Sequence, residues 1–321
     1  MVAVLANCDK IILKKRRGRD EMNKYLVLDI GGSAIKYAIM DDETTILEKN
    51  SVPTPLDTLK SLMEVIGTLY DSYKEQINGM AISLPGVLNS DTGYMYSGGS
   101  LVFNTNHNFI ETLKRRCPIT ISIENDGKCA ALAEIWKGSL QGIKNGAVIL
   151  LGTGVGGGII INGKLHKGHA FFAGEFSFIR TNSMEPENLA YCWGAQSGNK
   201  ALMKKGAMVK GIETLDGHQF FKYANEGDKE ILEVLNEFTK NVALQIINLQ
   251  SVISPEKVAI GGGISAQPLL IDYIKENLKH FSTEFSHEFK IFTPDLEIVA
   301  CKFKNESNLI GALYHHLQLA K

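Results

Sequence analysis

The stretch Tyr25–Lys36, YLVLDIGGSAIK, decides the fold. Tyr25, Leu26, Val27, Leu28 and Ile30 read as a buried strand that carries Asp29 near its end. Gly31 and Gly32 then supply backbone torsions and a close approach that a residue with a Cβ would resist. Ser33 and the bare amides of this turn can point at phosphate oxygens, and Lys36 adds a point charge nearby. Asp29 is placed to hold a hydrated magnesium ion, which prefers one or two carboxylates plus water and nucleotide oxygens. Taken alone, the stretch also fits an ordinary strand-turn-strand, because short glycine motifs recur by accident.

The same grammar returns twice. The apolar run AVILL, residues 147–151, is followed by Gly152, Thr153, Gly154, Gly156, Gly157 and Gly158 and then by a second strand, and KVAIGGG ends in Gly261, Gly262 and Gly263. A lone turn of this kind binds nothing in particular. Three of them in one chain can cradle phosphates from two sides and lie under a purine with the third. The repetition of strand, glycine turn and strand predicts an α/β protein of two similar lobes facing one another across a cleft.

Working outward, three strands open the chain before Pro53 and Pro55, and helical spacing covers Leu56 to about Tyr73. The strand GMAISL stops at Pro85 and Gly86, which open a polar, glycine-rich loop through Gly99. The strand ITISIE runs into Asn125, Asp126 and Gly127, and a helix rich in small residues, KCAALAEIW, follows. Ala130, Ala131 and Ala133 leave that helix little bulk, so it can pack tightly and bring Asp126 to the cleft. Further helices are expected over about 187–205, 216–224, 228–252 and 308–320.

Lys plus Arg number 34 against 35 Asp plus Glu, so nothing in the charge suggests a nucleic-acid partner. A small neutral or anionic metabolite fits better. No apolar run approaches the length of a membrane span, and the default expectation is a cytoplasmic protein without a membrane partner. The five cysteines, Cys8, Cys117, Cys129, Cys192 and Cys301, are scattered and never spaced C-x-x-C, so free thiols are expected. His315 and His316 are adjacent on a predicted helix, where neighbouring positions point apart, and read as surface histidines. Residues 1–22 form an extension with a basic run at 14–19; a translated upstream segment or a disordered extension is expected, with Met22 a candidate start.

These motifs together, LDIGGSAIK, SLPGVLNSDTG, IENDGKCAALAEIWKG, LGTGVGGGIIINGKLHKG, AGEF and VAIGGGIS in that order, resemble the ROK family of sugar kinases and repressors in the actin-like ATPase superfamily. The resemblance covers essentially Asn23 to Ala320. It implies two actin-like, ribonuclease H-like lobes with mixed sheets flanked by helices, at 23–139 and 140–321, with the closing helix able to join the first. ATP would lie in the cleft, with magnesium. Asp29, Gly31, Gly32, Ser33 and Lys36 match the first phosphate loop, Gly152, Thr153, Gly154 and Gly156 the second, and Gly262 with Gly263 the adenosine loop. Asp126 matches the general base, a role that agrees with the chemistry of deprotonating a sugar hydroxyl. Asn125, the backbone at Gly86, and Glu175 match sugar contacts, with a buried salt bridge the alternative for Glu175. Family habit also implies a homodimer.

The departures bear on substrate. Many relatives continue AGE with an apolar residue and Gly-His, then carry a cysteine cluster that binds zinc and a downstream Glu. Here Phe178 replaces the histidine, Trp193 falls near the acidic position, and one cysteine of the cluster, Cys192, survives, so structural zinc is not expected. Two aromatic side chains in place of hydrogen-bond partners suit stacking on a second sugar or aglycone. The expected substrate is therefore a β-glucoside such as cellobiose, phosphorylated at a 6-hydroxyl, with N-acetylmannosamine kinase or glucokinase as alternatives. The rival of another class is a sugar-sensing regulator without its own DNA-binding domain, since the chain has too little ahead of its first strand for a helix-turn-helix.

Overall fold

The computed structural model of the chain describes residues 22–289 and 295–319. The extension at 1–21 and Cys8 lie outside the described residues. The chain divides into two compact units: one ends at Ile123 and regains the chain from His315, and the other runs Glu124–Tyr314.

The first unit is built on a five-stranded mixed sheet. Strands β1 (Lys24–Ile30), β2 (Ala34–Asp41) and β3 (Ile46–Pro53) form an antiparallel meander, and β4 (Gly79–Leu84), reached through helix α1 (Leu59–Tyr73), lies parallel to β1. The central strands are covered on both faces, which is why β1 reads as a continuous apolar run rather than an alternating one. Strand β3 is the edge and exposes Glu48 and Lys49, charges that discourage edge pairing. Thr58 caps α1 by accepting from the Ser61 amide, and Leu62, Met63, Ile66 and Leu69 turn into the core. The glycine-rich segment after β4 is not an open loop but a small sheet of β5 (Val87–Asn89), β6 (Tyr94–Ser97) and β7 (His107–Asn108). Gly86 makes it possible: its φ is +103°, and a Cβ there would sit 2.0 Å from the Ser97 carbonyl oxygen. Helix α2 (Phe109–Lys114) leads to β8 (Ile121–Asn125), which gives the sheet order β3-β2-β1-β4-β8.

The second unit begins with helix α3 (Asp126–Lys137) and repeats that sheet. Strands β9 (Gly146–Leu151), β10 (Val155–Ile161) and β11 (Lys164–His166) are antiparallel in sequence. Short helix α4 (Trp193–Ser197) and helices α5 (Asn199–Val209), α6 (Gly217–Asn225) and α7 (Lys229–Ile253) follow. Then β12 (Lys257–Gly261) joins parallel to β9, and after α8 (Pro268–Phe289) β13 (Glu297–Ala300) joins parallel to β12. The order β11-β10-β9-β12-β13 copies the first sheet strand for strand. Helix α9 (Ser307–Leu319) closes the described chain.

Several expectations change. The helix expected over 187–205 is broken at Gly198, where a Cβ would sit 2.3 Å from the Thr153 carbonyl oxygen. Neither α8 nor β13 was anticipated from the sequence. His315 and His316 are buried, not on the surface; α9 is covered on more than one face. Cys117, Cys129, Cys192 and Cys301 are buried and in no disulfide, and burial pushes the Cys117 thiol up to about 11 and that of Cys301 well above its ordinary value. No helix among the described residues is long and apolar enough to cross a membrane.

Candidate active site

The first glycine turn links β1 to β2. Gly31 N–H donates to the Ala34 carbonyl (3.0 Å), while Thr54 Oγ1 donates to the Gly31 carbonyl at 2.7 Å and pins the turn from outside. Neither Gly31 nor Gly32 has a positive φ, so the torsional part of the sequence argument fails. What remains is space: a Cβ on Gly32 would touch Ser100 Oγ at 3.4 Å. Register places Asp29 opposite Lys36 on β2 and Ser83 on β4. Asp29 is buried, accepts from Ser83 Oγ at 3.1 Å, and has Lys36 Nζ 3.6 Å from its other oxygen. A carboxylate fixed in this way fits water-mediated contact with a divalent ion better than direct inner-shell ligation. Among the described residues no group of three or more His, Cys, Asp or Glu side chains gathers to hold a metal.

In the second unit, Asn125 and Asp126 stand at the start of α3. Asn125 Oδ1 accepts from the Lys128 amide at 3.1 Å, so Asn125 is the N-cap and Asp126 is the first helical residue. Asp126 is thereby released from capping; its Oδ1 accepts from the Gly127 amide at 2.8 Å, and the helix N-terminus favours its negative charge.

Beneath this turn lies a charged network that sequence reasoning missed. Lys128 is 1% exposed, and its Nζ donates to Glu175 Oε1 at 2.8 Å. The salt bridge weighed as an alternative for Glu175 therefore exists; Glu175 keeps part of its side chain accessible all the same. Buried Glu124 accepts from the Asn125 amide at 2.9 Å, and its other oxygen is 3.3 Å from Lys167 Nζ, an ion-pair contact without hydrogen-bond alignment.

The aromatic substitutions separate. Trp193 is 0% exposed and packs on Phe176 with ring centroids 5.7 Å apart, so it is core and not pocket surface. Phe178 is 54% exposed, and beside it stands Phe172, 48% exposed, with centroids 5.4 Å apart. These two rings flank Glu175, whose amide donates to the Phe172 carbonyl (3.2 Å) and whose carbonyl accepts from the Phe178 amide (3.1 Å).

The second and third glycine turns meet at the C-terminal ends of parallel neighbours β9 and β12. Gly262, with φ +96°, would place a Cβ 2.2 Å from the Leu151 carbonyl oxygen, so only glycine brings the two turns this close. Gly152 and Gly154 close the second turn with a 3.0 Å bond, and Ser177 Oγ accepts from the Val155 amide behind it at 2.9 Å. Gly156 lies within β10 opposite Leu150, beyond the turn itself. Asn199 ties the arrangement together: its amide donates to the Gly152 carbonyl at 2.7 Å, and its Nδ2 lies 3.8 Å from where a Gly263 Cβ would be. It also lines a cavity of about 530 Å³ with Met203, Ala207, Ile212, Glu213 and Leu215. Its Oδ1 is buried with no hydrogen-bond partner among the described residues.

Comparison with known proteins gives the family. The ROK family profile matches residues 25–318. A beta-glucoside kinase of Listeria innocua is 30% identical over 301 residues, 92% of this chain and 98% of its own length. Among solved structures, a ROK family protein from Streptococcus pneumoniae in complex with sucrose has a TM-score of 0.81 at 29% identity, covering 92% of this chain and 99% of its own. A Listeria monocytogenes protein described as a candidate N-acetylmannosamine kinase has a TM-score of 0.80 at 29% identity, covering 93% and 100%.

Proposed function

The chain belongs to the ROK family and is a sugar kinase, and from that premise we propose that it uses ATP to phosphorylate the 6-hydroxyl of a β-glucoside such as cellobiose. Asp126 is the general base in this reading. It takes the hydroxyl proton as the sugar oxygen forms its bond to the γ-phosphorus and the bond to the bridging β,γ-oxygen breaks, releasing ADP. In the second unit the amides of Gly152–Gly154 suit phosphate oxygens; in the first, Gly31, Gly32, Ser33 and Lys36 form a phosphate loop of the same kind. Asp29 would hold a magnesium ion through its water shell, and the ion would neutralise phosphate charge there. The cavity beside Asn199 suits the nucleoside, since an N–H or O–H donor entering it would satisfy the buried Oδ1. Asn125 and Glu175 are the sugar contacts of the second unit, and the Gly86 backbone is the sugar contact assigned to the first.

The observation that carries the substrate class is the exposed Phe172–Phe178 pair beside Glu175. Exposed aromatic surface flanking an acid suits a ring that needs one hydrogen-bond acceptor and an apolar face, as an aglycone or second sugar does. The sucrose-bound relative supports the reading because its ligand is also a disaccharide. The same apolar surface would accept an acetyl methyl, so N-acetylmannosamine is the second reading, favoured by the likeness to the Listeria monocytogenes protein. Steady-state kinetics over cellobiose, glucose and N-acetylmannosamine separates the two, and a far better kcat/KM for free glucose would overturn the β-glucoside assignment.

A further inference from the structure

We infer that Lys128 is a positioning residue for sugar binding, acting through Glu175. The inference rests on the sugar-kinase reading above and goes beyond it, because Lys128 faces no substrate atom in that reading.

The geometry that brings the pair together is made of glycine. A Cβ on Gly127 would sit 2.7 Å from both the amide nitrogen and the carbonyl oxygen of Gly157. A Cβ on Gly174, whose φ is +86°, would sit 3.1 Å from the Gly157 carbonyl oxygen and from Gly158 Cα. The start of α3 and the loop carrying Glu175 are thus both seated on the same two residues of β10. The residues immediately after the two glycines are Lys128 and Glu175, and they meet at 2.8 Å.

An ammonium so fully buried is costly unless it is compensated, so its position is tied to that of its carboxylate partner. With Oε1 of Glu175 committed to Lys128, the carboxylate is held in one rotation and its remaining acceptor capacity is aimed rather than free to swing. The backbone amide of Lys128 is bound by Asn125 Oδ1. One residue therefore connects three groups assigned to the sugar: Asn125 by its amide, Asp126 by the turn they share, and Glu175 by its ammonium.

The test is a double-mutant cycle on the full chain, using Lys128→Met, Glu175→Gln and both together, with glucose and cellobiose as acceptors. Lys128→Met is expected to raise the sugar KM about tenfold or more while the ATP KM stays within about twofold, and Lys128→Arg is expected to recover most of the loss. Because Lys128 acts through Glu175, the double variant should bind sugar no worse than Glu175→Gln alone. A folded Lys128→Met with unchanged sugar KM, or single losses that multiply in the double variant, would overturn the inference. If Lys128→Met does not fold, the double variant, which leaves no unpaired buried charge, still decides it against Glu175→Gln. A wild-type protein inactive on every sugar would sink the kinase reading and this inference with it, whereas an active wild type with insensitive variants would sink the positioning role alone.

Discussion

Gly127 is pressed so closely onto Gly157 that a Cβ would lie 2.7 Å from that residue's backbone nitrogen and oxygen. Neither contact can yield, because both are backbone within a sheet strand. Gly127→Ala is therefore expected to displace the first turn of α3, which carries Asp126. Overpacking of this kind costs about 1–3 kcal/mol. A shift of the base by an ångström costs activity on the order of a hundredfold. Thermal unfolding and kcat on the same preparation check both, and a fully active, equally stable alanine variant would contradict the account of the helix seat.

The exposed Phe172–Phe178 pair makes a specific demand on substrate preference. Phe178→Ala and Phe172→Ala are each expected to raise the KM for cellobiose by about tenfold while changing that for glucose much less, since lost apolar contact with one group is worth about 1–3 kcal/mol. Equal effects on both sugars would mean that the rings shape the pocket without touching an aglycone. Trp193, being core, should behave differently: Trp193→Ala is expected to cost about 3–5 kcal/mol of stability.

His316 supplies a pH dependence. It is buried, Ser122 Oγ lies 2.9 Å from its Nδ1, and burial, followed by the charge of His315, lowers its pKa from 6.5 to about 4. The unfolded chain takes up this proton near pH 6.5 and the folded protein only near 4, so the stability conferred by neutral His316 is complete above about pH 6.5. It declines as pH falls between those values and is gone below about 4, a loss on the order of 3 kcal/mol. Urea unfolding across this range should show the slope, and His316→Gln should flatten it. A wild-type slope unchanged by that substitution would assign the effect to other groups.

Much of the scaffold was legible because its central strands are covered on both faces. LVLDI, AVILL and KVAIG are continuous apolar runs stopped by glycine, a signal that survives without any knowledge of the neighbours. The place of Asp126 was legible for a related reason, as an acid between a strand and a helix of small residues. Lys128 was not: a lysine in a helix reads as solvated, and its partner Glu175 lies 47 residues away. Phe172 gave no signal because exposure of a large apolar residue is a property of the folded surface. The two histidines misled for the opposite reason, since a helical sequence does not tell a helix covered on one face from one covered on several, and Trp193 misled because its place in the family pattern does not show whether its ring faces the pocket or the core. Asn199 looks like any polar residue at a helix start until the two glycine turns are seen to converge on it.

The most direct test of the central claim is release of ADP from ATP and magnesium, measured in a coupled assay with cellobiose, glucose and N-acetylmannosamine, on the native chain and on Asp126→Asn. The account predicts sugar-dependent turnover that falls by about 100- to 10,000-fold in the variant, the range of a lost general base, with sugar binding by calorimetry retained. Turnover that survives in Asp126→Asn, or native protein that binds sugar and never releases ADP, would contradict it.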